Sequence, residues 1–62
     1  MITINVQFYG QGVVPMNKWL IDHGLVYRRD WSWDSRENGY IYKIFSDKHS
    51  KIATLFALKW AG

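Results

Sequence analysis

The sequence predicts a small α+β domain of order β-α-β-β-α, a three-stranded, mainly antiparallel sheet with two helices packed on one face. Three observations predict it. Ile2, Ile4, Val6 and Phe8 alternate with Thr3, Asn5, Gln7 and Tyr9, the period of two of a strand with one buried face. Pro15 and Gly24 bracket a segment of helical spacing, and a second helical stripe closes the chain behind Ser46-Asp47. Between the helices, two apolar runs flank Asn38-Gly39, a dipeptide that tolerates positive φ and so favours a hairpin.

The elements follow in order. The first strand ends at Gly10-Gln11-Gly12. The first helix is expected over 15–23, because the N–H that Pro15 lacks would have no helical partner there anyway. Met16, Trp19, Leu20 and His23 recur every three or four residues, and Gly24 suits the left-handed position past the helix end, with Leu25 folding back on Leu20. A second strand is expected over 26–33, with Tyr27, Arg29, Trp31 and Trp33 on one side. A two-residue turn at Asn38-Gly39 would set Asp34 opposite Lys43 and Trp33 opposite Ile44; a longer loop over 35–39 is the alternative. The third strand, 40–45, carries apolar residues on both faces, so its periodicity does not choose a buried side. Ser46 or Asp47 caps the last helix, whose inner stripe is Ile52, Ala53, Phe56, Ala57 and Trp60, with Leu55 flanking it and Leu58 among polar neighbours.

A strand–helix–strand crossover followed by a hairpin gives the sheet order 1-3-2, a truncated ferredoxin-like arrangement, with a 1-2-3 meander as the alternative. Both helices then cover one side of the sheet. The other side should show Thr3, Asn5, Gln7 and Tyr9, with whichever faces of the later strands turn outward.

Composition narrows the function. The 62 residues bound a single domain, 1–62, near the lower size limit for folding without a disulfide, and there is no cysteine. Four Trp, four Tyr and three Phe are a large number of rings for so small an interior, so some are expected at the surface. The net charge of +3 permits an acidic partner or nucleic acid without requiring one. No apolar run approaches 18 residues and the N-terminus is not a signal peptide, so no membrane association and a cytoplasmic location are expected.

Nothing in the chain looks catalytic. His23 and His49 each sit at a helix end, where a part-buried packing role is the ordinary one. No nucleophile elbow or phosphate loop occurs; Gly10-Gln11-Gly12 lacks the third glycine of a dinucleotide site. No Cys/His cluster suggests a metal, and no cofactor is expected. The reading is a non-catalytic protein-interaction module. Tyr9, Trp31 and Trp33 are candidate ring anchors, Arg28 and Arg29 candidate bidentate contacts, and Leu58 a rim contact. The partner is another protein or a second copy of the chain, in a homodimer. The alternative is nucleic acid, because the segment 27–33 interleaves rings with arginines as a stacking platform would.

The ending Phe45-Ser46-Asp47 and the run Ala53-Thr54-Leu55-Phe56-Ala57-Leu58-Lys59-Trp60 resemble the C-termini of short accessory proteins of tailed bacteriophages, in which a strand runs through an acidic cap into an ATLFALKW-like helix. The resemblance covers the last third of the chain and carries no catalytic motif. It implies a phage-encoded protein in the infected cell that binds and modulates a host protein.

Overall fold

The computed structural model describes residues 1–7 and 12–61. Strand β1 spans Ile2–Gln7, helix α1 Val14–Asp22, strand β2 Trp31–Arg36, strand β3 Gly39–Ile44 and helix α2 Ser50–Trp60, the last entered through a 3-10 turn at Asp47–His49. The sheet order is β1-β3-β2, with β3 antiparallel to both neighbours, as the crossover argument predicts.

Local chemistry sets the helix ends. Pro15 lies in the first turn of α1. At its C-terminus Gly24 adopts φ 87°, its N–H donates to the Ile21 carbonyl at 3.0 Å, and the Leu25 N–H reaches the Leu20 carbonyl at 3.2 Å. That double closure is the Schellman arrangement, and it buries Leu25 beside the sheet. Ser46 Oγ accepts from the Lys48 N–H at 3.3 Å and so caps the 3-10 turn rather than α2 itself.

The inner face of the sheet carries Ile4 and Val6 from β1, Trp31 from β2, and Tyr42 and Ile44 from β3, all buried beneath Met16 and Leu20 of α1 and Ala53 and Phe56 of α2. The side of β3 left open by its sequence is thereby settled: Tyr42 and Ile44 face the helices. Tyr42 is fully buried, so its hydroxyl needs a partner, and it donates to Asn17 Oδ1 at 2.6 Å; burial, reinforced by nearby Tyr40, pushes the phenol's pKa up.

Two expectations are corrected. The second strand begins at Trp31 rather than at Val26, because residues 26–30 form a tight turn: the Asp30 N–H donates to the Val26 carbonyl at 2.8 Å and the Arg28 N–H to the Trp31 carbonyl at 2.7 Å. The hairpin turn is Glu37-Asn38, and Gly39 belongs to β3, paired with both Arg36 and Gln7. Trp33 therefore lies opposite Tyr42, and Asp34 opposite Ile41. The shift is two residues, an even number, so every side chain of β2 keeps its predicted face.

Candidate functional site

The 26–30 turn is held by one carboxylate. Asp30 is 8% exposed, and its Oδ2 accepts from the Val26 N–H at 2.7 Å and from Arg29 Nε and Nη2 at 3.2 and 3.0 Å. The Arg29 hydrogen bond, and after it the Val26 N–H, lower its pKa from 3.8 to about 2. On the other side, Asp30 Oδ1 faces His49 Nε2 at 3.7 Å, and that buried nitrogen makes no hydrogen bond among the described residues. The Asp30 carbonyl accepts from the Phe45 N–H at 2.9 Å, which ties the turn to the end of β3.

Within this frame Arg28 takes φ 71°, the only positive φ of a non-glycine residue among those described. An L side chain in that region costs about 1–2 kcal/mol, because Cβ crowds the following carbonyl. The bonds around Asp30 hold it there. As a result Arg28 lies over the ring of Tyr27, 5.6 Å from its centroid, and Tyr27 in turn packs against Trp31 at 4.9 Å. Tyr27 is 42% exposed, and Val26 and Phe45 are exposed at the same end of the sheet. The turn thus presents a ring, a guanidinium and the Val26 side chain, with Phe45 beside them at the end of β3.

No protein-family model, curated protein or solved structure matches this chain. What the site does must be read from its geometry.

The sequence-predicted contacts are scattered by the fold. Arg28 and Arg29 are exposed on the turn, although Arg29 is engaged with Asp30. Trp31 is not a surface anchor: it is 1% exposed, stacks on Tyr42 at 5.9 Å and donates its indole N–H to the Leu25 carbonyl at 3.3 Å. Trp33 shares that inner face and is half-buried, edge-on to Tyr40 at 5.9 Å. Leu58 is 71% exposed on α2, nine residues and so about 13 Å along from the His49 end that touches the turn. Tyr9 lies outside the described residues.

The ring surplus proves smaller than the composition implied. Trp31, Tyr42 and Phe56 are buried; half-buried Trp19 and Trp60 join them in one aromatic cluster, and half-buried Trp33 and Tyr40 pack on each other. Among the described rings, Tyr27 and Phe45 alone are exposed. The open face of the sheet presents Thr3, Asn5 and Gln7 from β1, Ser32, Asp34 and Arg36 from β2, and Ile41 and Lys43 from β3, with no ring among the described residues. The two tryptophans of 27–33 therefore contribute no stacking platform to that face, since both lie on the inner one.

The sequence reading included Tyr27 in the 27–33 ring segment but overlooked Val26 and Phe45 as surface groups, and Asp30 and His49 as their support. One signal was available, an aspartate placed to bond back to a backbone N–H four residues earlier, which favours a turn over a strand. The histidines lie apart. His23 stacks on Trp19 at 3.8 Å, with Nδ1 2.7 Å from the Trp19 carbonyl oxygen, and His49 meets Asp30. No group of three His, Cys, Asp or Glu among the described residues could hold a metal ion, and no described helix is long and apolar enough to cross a membrane.

Acid should loosen the turn. The carboxylate of Asp30 has a folded pKa below its ordinary value, so its stabilising effect is present above about pH 4 and is lost as pH falls toward 2. Urea midpoints measured against pH should show the wild type ahead of Asp30→Asn at neutral pH and level with it near pH 2. A constant gap across that range would mean that the Asp30 charge does not support the turn.

Proposed function

We propose that this chain is a small non-catalytic protein-interaction module that binds its partner through the Tyr27–Arg28 turn. In this reading it is a phage accessory protein and the partner is a host protein, in keeping with the resemblance of its last third. The observation that carries the proposal is Arg28 at φ 71°, a strained non-glycine backbone secured by a buried carboxylate. Strain of this kind has no packing purpose at an exposed side chain, and such strain concentrates where a side chain must be aimed at a ligand. Tyrosine and arginine are also the residues that most often dominate interface energies, and a preorganised turn loses little entropy on binding.

The diagnostic variant is Arg28→Gly. Glycine accepts positive φ freely, so the fold should be unharmed or stabilised by up to about 1 kcal/mol. The guanidinium over Tyr27 is lost, and affinity for the partner should fall roughly tenfold or more. The measurement is capture from nuclease-treated bacterial lysate by wild type and by the variant, beside thermal melts of both. A partner retained equally by the two proteins would rule out the turn as the contact. A captured species that disappears with nuclease would point instead to nucleic acid.

A further inference from the structure

We propose that β1 is the seam of a symmetric dimer, in which a second copy of this chain lays its own β1 antiparallel alongside. The two edges of the sheet are not alike. At the β2 edge, the turn bridges Tyr27 to Trp31 and covers the start of the strand, and Asp34 and Arg36 put charges on the remainder. Edges are ordinarily protected from further pairing by such charges, by proline or by covering loops. The β1 edge differs: Ile2–Gln7 holds no charged residue and no proline, and among the described residues no strand lies outside it.

The flank beside that edge is shaped to receive another strand. A groove of about 400 Å³ runs between β1 and α2, lined by Ile2 and Ile4 below and by Ser50, Ala53, Thr54 and Ala57 above. The short side chains of α2 leave open the space next to the strand. Leu58, one turn beyond Thr54, stands exposed at the groove's rim with no apolar cover.

A second copy matches this flank face by face. With a two-fold axis perpendicular to the sheet, residues of like parity pair. With the axis at Ile4, Ile4 meets its own counterpart and Ile2 meets Val6 of the other copy under the helices, while Thr3 and Asn5 meet on the polar side. No like charges are brought together along β1, so the net charge of +3 opposes the approach only at long range. The flank is about 20 Å along the strand, and the molecule is 19–20 Å across its shorter axes. A contact of that extent buries on the order of 1,000 Å² in total, the lower end for a specific interface. The product is a six-stranded sheet with β2 at both ends, each carrying a Tyr27–Arg28 turn. One dimer could then engage two partner sites.

The test is sedimentation velocity of the full chain from about 1 µM to about 1 mM, with the exposed-site variants Leu58→Glu and Thr54→Arg, and amide exchange at both ends of the range. The expected result is a concentration-dependent dimer, weakened roughly tenfold or more by each variant at unchanged circular dichroism, with protection rising at β1. A monomer throughout, a dimer indifferent to both variants, or protection rising at β2 instead would each overturn the proposal. Protection of β1 that appears only with a captured foreign protein would overturn it too, by assigning the groove to another chain's strand. Arg28→Gly separates the two readings, since it should weaken partner capture roughly tenfold or more and leave the dimer intact.

Discussion

Trp31→Ala should leave the chain largely unfolded at room temperature. The indole is 1% exposed, stacked on Tyr42 and bonded to the Leu25 carbonyl, so its removal opens a cavity in the core beneath β2. Such truncations cost about 3–5 kcal/mol. A domain of this size has a total stability of about 3–9 kcal/mol at the usual 0.05–0.15 kcal/mol per residue, so the loss consumes most of it. A fall in Tm of roughly 15 °C or more is expected, read by far-ultraviolet circular dichroism, with collapse of amide shift dispersion. Trp31→Phe keeps a ring against Tyr42 and should lose much less. A Trp31→Ala protein melting within a few degrees of wild type would show that the indole is not the pillar described.

Gly39→Ala is the second large effect, and its cause is different. Gly39 heads β3 with Gln7 on one side and Arg36 on the other. A Cβ built there would run into the Val6 carbonyl oxygen, with Val6 C and Gln7 Cα each at 3.0 Å. All three are backbone atoms, so no side-chain rotation can relieve the clash, and β1 must shift away from β3. Overpacking ordinarily costs about 1–3 kcal/mol, and against rigid backbone the upper end or more is expected. The damage should be local first. Amide exchange at Val6 and Gln7 should accelerate before the core opens, and the urea midpoint should fall. An alanine tolerated within about 0.5 kcal/mol would mean that the strands lie further apart than described.

Both effects concern residues whose importance the chain reveals unevenly. Trp31 was legible as part of a strand face shared with Trp33, and the two do share one. The surplus of rings, however, argued for placing that face at the surface. Counting rings overlooks how they pack: Trp19 meets Phe56 and Trp60 edge to face and Tyr42 packs tilted on Phe56, across α1, α2 and β3, so a small interior accommodates more of them than their separate areas suggest. Gly39 was read as a turn residue because Asn-Gly suits a hairpin. Its actual reason is close approach to β1, a strand more than thirty residues earlier, which no local pattern reports.

The candidate site was less legible than the fold. Arg28 and Arg29 were singled out for their chemistry, but Tyr27 was read as part of a strand. Its exposure depends on Asp30 reaching back to Val26, and Asp30 in turn is positioned by Phe45 and faces His49 from the far end of the chain.

The order of elements, the alternation of β1, both helices with the Pro15 and Gly24 that bracket the first, and the 1-3-2 sheet were all readable from residues close together in the chain. Those features are local, or follow from the handedness of a crossover, and neighbouring residues suffice to specify them. The onset of β2, the hairpin register and the inward turn of the tryptophans required the assembled molecule. Each is a contest between two nearly equal local options, and the winner is chosen by contacts with elements distant in sequence: Val6 against Gly39, Leu25 against Trp31, and His49 and Phe45 around Asp30.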